Sequence, residues 1–211
     1  MSGADAKHAG LNLGDQDPRA HAKAESDVFG FWIFLMSDAV IFALLFATYG
    51  VMLAGTAGGP TPADEYKILP AFIETLILLT SSLTFGMASV AMKHDDGTGR
   101  RRALLGWLAV TLALGVGFLA FEFRDFATMI ADGAVPSRSG YLSSFFGLVS
   151  LHGVHVAAGC LWLIVMMVQI PVFGLDDRVK INLLRLGLFW HFLDIVWIAI
   201  FSVVYLQGLI R

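Results

Sequence analysis

FWIFLMSDAVIFALLF, residues 31–46, is soluble in lipid everywhere except at Asp38, and no basic residue lies in the run to pair with that acid. A helix needs about 20 mostly apolar residues to cross the hydrocarbon of a bilayer. Extended to its polar flanks, the run supplies them, and it predicts a membrane span near 29–53. Four more windows have the same character, near 68–92, 103–122, 142–169 and 183–208. The whole chain agrees: it is 57% hydrophobic and 15% charged, where a soluble domain is about 45–50% apolar and about 25% charged. The expected fold is an all-α integral membrane bundle of five transmembrane helices. Pro18, Pro60, Pro62, Pro70, Pro136 and Pro171 fall outside or at the edges of the windows, where a missing N–H does little harm.

Two regions follow from composition. Residues 1–28 form a polar arm rich in Ala, Gly, Asp and His, expected to be disordered or to dock on a partner. They hold no apolar run of the secretory-signal kind, and His8 and His21 lie too far apart for a local metal site. Residues 29–211 form one membrane domain. Of the chain's 14 Lys and Arg, most fall on one side of the spans: Lys7, Arg19, Lys23, Lys93, Arg100, Arg101, Arg102, Arg178, Lys180 and Arg185. Lys67, Arg124, Arg138 and Arg211 fall on the other. Positive charge stays inside, so the N-terminus is expected in the cytoplasm and the C-terminus in the periplasm. No basic patch interleaved with aromatics points to nucleic acid, no internal repeat supports an inverted-repeat transporter, and the single Cys160 reads as a small buried hydrophobe.

Asp38, Glu74, Glu122, His152, His155, His191 and Asp194 are the ionisable residues inside or at the ends of the spans. A charge at mid-bilayer costs about 2.5–3.5 kcal/mol on insertion scales, so each must be paired, turned from lipid, or used. His152 and His155 are three apart, as are His191 and Asp194, so each pair is expected to share a helix face. A hydrogen-bonded network of all four between the last two spans is the structural reading. Haem or copper ligation is a second reading, opposed by the Phe and Trp crowding the same spans and by the absence of CxxCH or HExxH spacing. Proton relay or lipid contact is a third, with Asp38 and Glu74 as the candidate lipid or proton-access residues. Glu122 closes the third window and reads as a solvated boundary charge. Small-residue stripes at Ala109/Ala113/Gly117, Ser82/Gly86 and Gly153/Ala157 predict interhelical seams, and leucine at Gly117 is expected to separate one of them.

These positions, with their neighbours, resemble subunit III of haem–copper respiratory oxidases. The resemblance runs from about Phe29 to Gly208. Its pieces are FGFWIFLMSDAVIFALLFATY (Phe29–Tyr49), ETLILLTSSLTFGMASVAM (Glu74–Met92), SFFGLVSLHGVHVAAG (Ser144–Gly159) and FWHFLDIVWIAIFSVVYL (Phe189–Leu206). HGVHV followed by WHFLDIVW on the last two of five spans is the most specific part. Five spans, Asp38 in the first and the turn AGTAGGPT (Ala54–Thr61) are similar to the quinol-oxidase branch, the cytochrome bo type.

The resemblance implies a non-catalytic subunit of a proton-pumping ubiquinol oxidase in the bacterial inner membrane, one that supports assembly, stability, lipid binding and proton uptake by subunit I. It implies no cofactor in this chain, haem and copper in subunit I, and subunits I, II and IV with phospholipids as partners. It further implies that Asp38 is the family's first-span acid and that His152, His155, His191 and Asp194 are structural rather than catalytic or metal-binding. The competing function is a proton-coupled transporter using Asp38, Glu74 and the His cluster.

Overall fold

The computed structural model describes residues 18–58, 68–93 and 98–206. Among them there is no strand. Helix α1 spans Pro18–Met52, α2 Ile68–Lys93, α3 Thr98–Ala131, α4 Gly140–Phe173 and α5 Asp177–Ile200, the last running on into a π-helical turn at Phe201–Leu206. Five stretches on these helices are long and apolar enough to cross a membrane: Ala24–Met52, Ile68–Met92, Arg101–Ala131, Gly140–Phe173 and Asp177–Leu206.

Three boundaries differ from the sequence expectation. Helix α1 begins at Pro18, whose fixed φ and missing N–H suit a first helical position, so residues 18–28 are helical rather than disordered. Residues 1–17, with Lys7 and His8, lie outside the described residues. Helix α3 continues past Glu122 to Ala131. FATMI, residues 126–130, keeps apolar side chains coming after the charges of Glu122, Arg124 and Asp125, so the helix gains roughly two and a half more turns. Pro171 lies inside α4. It forfeits one backbone bond just before the helix ends, and Gly174 closes that end at φ 79° by donating its N–H to the Ile170 carbonyl at 3.1 Å.

Helices α4 and α5 occupy the centre. Helix α4 packs on α1, α3 and α5; α5 packs on α1, α2 and α4; and α2 runs along α3. Helix α1 joins by one narrow seam, burying Leu35, Asp38, Phe42 and Tyr49 at helical spacing while Trp32, Ile33, Phe34 and Leu44 point outward. At one end of the bundle Arg185 of α5 donates to the Asp27 carbonyl at 3.3 Å. At the other, the Tyr141 N–H donates to the Gly55 carbonyl at 3.3 Å, and the Ser139 hydroxyl caps α4 by accepting from the Leu142 N–H at 3.1 Å.

Two buried tryptophans lock the core. The Trp190 indole fills space that side chains would otherwise take: a Cβ on Gly115 of α3 would sit 2.8 Å from it, and one on Gly159 of α4 would sit 3.0 Å away. Its N–H donates to Ser81 Oγ at 3.0 Å. Trp197 donates to Thr75 Oγ1 at 3.0 Å. Ser81 and Thr75 each donate back to a carbonyl of α2, at 2.7 and 2.8 Å, which leaves their lone pairs for the indoles. Thr84 of α2 and Thr111 of α3 bond at 2.8 Å. In lipid such bonds and close packing hold helices together. Thr75→Val keeps the shape but orphans the Trp197 N–H, and it is expected to cost about 1–3 kcal/mol, read as a lowered melting temperature of the detergent-solubilised chain.

The small-residue seams do not lie where the sequence stripes suggest. Ala109 and Ala113 are exposed, and nothing stands within 4 Å of a Cβ built at Gly117 or at Gly86. The inward face of α3 instead carries Leu104, Leu108, Thr111, Gly115 and Phe118. Ala157 is exposed, while Gly153 and Gly159 of the same helix make the close approaches.

Candidate functional site

Asp38, on the buried seam of α1, stands with its Oδ2 3.0 Å from His155 Nε2 of α4. The distance is that of an ion pair, although the angles do not make a hydrogen bond. The other imidazole nitrogen, Nδ1, lies 2.7 Å from the Leu151 carbonyl. A carbonyl only accepts, so Nδ1 carries the hydrogen. Nε2 of a neutral ring would then offer a lone pair to a carboxylate oxygen, which repels it. The contact is favourable only with a proton between the two groups, on the imidazole or on the acid. Asp38 and His155 therefore form a proton-holding pair at the α1–α4 interface, flanked by the rings of Phe42 and Phe189.

The other three members of the expected network go elsewhere. His191 turns to α2, where its Nδ1 bonds Ser82 Oγ at 2.7 Å and its ring meets the edge of Phe85. Asp194 lies 3.8 Å from the same nitrogen, and neither of its oxygens has a hydrogen bond among the described residues. His152 is fully buried, stacked on Trp197 with centroids 5.3 Å apart and against the edge of Phe118; neither ring nitrogen has a hydrogen-bond partner among the described residues. The physical reason is rotation. Three residues turn an α-helix about 60° short of a full turn, and a central helix has different neighbours across that angle. His155 thus faces α1, while His152 faces α3 and α5. A single cluster of His152, His155, His191 and Asp194 is not what the fold builds. Among the described residues there is no grouping of three or more His, Cys, Asp or Glu able to hold a metal ion.

Glu74 does not join Asp38. It lies with Glu122 at the bundle end that carries the α3–α4 connection, where both line a cavity of about 440 Å³. Glu74 is 2% exposed and Glu122 5%, so the reading of Glu122 as a solvated boundary charge is corrected: α3 runs on beyond it and carries it into the protein. The Glu122 carboxyl rests on the backbone of α4 at Gly153, where a Cβ would come within 2.7 Å of its Oε2. Among the described residues neither Glu122 oxygen has a hydrogen-bond partner, and Glu74 Oε1 has none. Asp125 stands close enough to repel Glu74, and Tyr205, delivered by the π-helical turn, lines the cavity within electrostatic reach of all three acids. Sequence reading missed Asp125 and Tyr205, and it marked Gly153 as a seam residue without its neighbour Glu122. The signal available was the i, i+3 spacing of Glu122 and Asp125, which places both on one face of α3.

Residues 18–209 match the family model described as cytochrome c oxidase subunit III. The chain is 47% identical to the cytochrome bo(3) ubiquinol oxidase subunit 3 of Pseudomonas putida over 90% of each chain. It is also 47% identical to the protein of that name from Pseudomonas aeruginosa, over 93% of this chain and 92% of the relative. The cytochrome c oxidase subunit 3 of Alkalihalophilus pseudofirmus is 40% identical over 90% of this chain and 91% of its own. A match that takes in all five apolar helices, at these identities and coverages, shows that the chain belongs to the cytochrome c oxidase subunit III family.

Proposed function

We propose that this chain is the non-catalytic third subunit of a proton-pumping ubiquinol oxidase in a bacterial inner membrane. The observation that carries the reading is the near full-length identity to two relatives named as ubiquinol oxidase subunits. Haem and copper belong, on this reading, to subunit I, and subunits II and IV complete the complex. The outward apolar face of α1, with Trp32 and Phe34 on it, suits a lipid or subunit contact. The polar N-terminal residues lie on the cytoplasmic side, the membrane domain takes in the five apolar helical stretches from Ala24 onward, and the C-terminus is periplasmic. The proton-holding pair of Asp38 and His155 supports a part in proton access to subunit I. Glu74, in its separate cavity, is a candidate for lipid contact. His152, His191 and Asp194 are structural. No relative reported above is named as a transporter, and the geometry does not join Asp38, Glu74 and the imidazoles into one relay.

The test is purification of tagged chain from its own membranes. Untagged oxidase subunits should come with it, and the complex should show haem absorbance and consume oxygen with ubiquinol. The chain purified by itself should show neither. Haem bound by the isolated chain in equal amount would overturn the non-catalytic reading, and a complex oxidising cytochrome c but not quinol would overturn the choice of donor.

A further inference from the structure

We propose that the cavity between α2 and α3 binds an organic ammonium group, with the buried carboxyl groups of Glu74 and Glu122 as its counter-charges. The proposal gives a ligand chemistry to the lipid role offered above for Glu74. It needs nothing of the oxidase assignment, so either can fail without the other.

Four observations converge. First, Glu74 and Glu122 are more than nine-tenths buried, line the cavity, and hold carboxyl oxygens without hydrogen-bond partners among the described residues. Burying a polar group is unfavourable unless something bonds it, and burying a charge is more so. Second, Asp125 lines the same cavity from the same face of α3 as Glu122, which adds a third carboxyl group to the site. Third, the space is large. Its 440 Å³ compares with about 30 Å³ for one water in the liquid. The space has room for a cation that carries an organic body. Fourth, Phe121, Phe126, Phe145 and Tyr205 supply ring walls, and an ammonium over a ring face is attracted by its quadrupole.

The ammonium has two conceivable sources, a phospholipid bearing an ethanolamine headgroup and a small soluble amine. The mouth favours the lipid. Arg124 stands there as a phosphate partner, and the outward-facing Leu69 and Ile73 offer an apolar track for acyl chains. A zwitterionic headgroup would lie with its nitrogen toward the glutamates and its phosphate toward the arginine.

The experiment places the purified full-length chain in nanodiscs of phosphatidylglycerol alone or mixed with phosphatidylethanolamine. Lipid retained after detergent extraction is read by native mass spectrometry. The wild-type chain should retain phosphatidylethanolamine in preference to phosphatidylglycerol, and Glu74→Gln/Glu122→Gln should retain about tenfold less, as loss of a buried charge pair predicts. A parallel arm adds ethanolamine or putrescine to phosphatidylglycerol nanodiscs and follows the melting temperature. Stabilisation there that the double variant lacks, with no preference among lipids, supports the ammonium site and assigns it to a soluble amine. Equal retention of both lipids by the wild-type chain together with no response to either amine overturns the proposal. This last comparison needs no variant, so a double variant that fails to fold does not shelter the idea.

Discussion

Leucine in place of Gly115 is expected to destabilise the bundle by about 3 kcal/mol or more, while leucine at Gly117, two residues along the helix and on its far side, leaves it unchanged. The two glycines look alike in the sequence. A Cβ on Gly115 would stand 2.8 Å from Trp190 Cη2 and 2.9 Å from Cys160 Sγ, whereas one on Gly117 meets nothing within 4 Å. Trp190 cannot retreat cheaply. Gly159 of α4 confines the opposite edge of its ring, and its N–H is committed to Ser81. Overpacking a tight core costs about 1–3 kcal/mol, and pulling the indole off Ser81 adds about 1–3 kcal/mol for an orphaned donor. Thermal melting of both variants in detergent, with yield of the assembled complex as a second readout, separates them. Equal melting of Gly115→Leu and wild type would remove Trp190 from its place as the wedge between α3, α4 and α5.

The pair also shows what the sequence does and does not disclose. Helix number and type were legible because crossing a bilayer requires length and apolarity, and both are properties of a single stretch. The stripe Ala109/Ala113/Gly117 was misleading because small residues recur often in apolar helices; which of them faces a neighbour depends on helix rotation, a property of the pair rather than of the strand of sequence. The same limit applied to the histidines. Spacing placed His152 and His155 on one face of α4, but the arrangement of neighbours gives one of them Asp38 and the other Trp197. Glu122 was misjudged for a different reason. Its window ended where charges began, although α3 ends at Ala131, and hydropathy alone does not see a helix carried through Glu122, Arg124 and Asp125 by the apolar residues after them.

His155→Leu is expected to be the most damaging single change at the α1–α4 interface, and restoring neutrality on the other side should repair part of the harm. The substitution leaves Asp38 on the narrow seam by which α1 is attached, with its only near cation or donor among the described side chains removed. Breaking a buried pair costs about 3–5 kcal/mol. Both side chains here keep slight exposure, 20% for His155 and 10% for Asp38, which places the expectation at the lower end. Asp38→Leu/His155→Leu removes both polar groups and should recover about 1–3 kcal/mol relative to His155→Leu, as coupled neighbours do. Asp38→Asn differs again. An amide N–H can donate to the lone pair of Nε2 while Nδ1 still donates to Leu151, so the helices stay joined and complex yield stays near normal. What the asparagine cannot do is exchange the shared proton. Slower ubiquinol oxidation, or faster loss of activity during turnover, by fully assembled Asp38→Asn complex is therefore the signature of a pair that passes protons. If that complex turns over like wild type, the pair serves packing alone. Complex yield that is no better in the double variant than in His155→Leu would mean that Asp38 and His155 do not act on each other, whatever their separation.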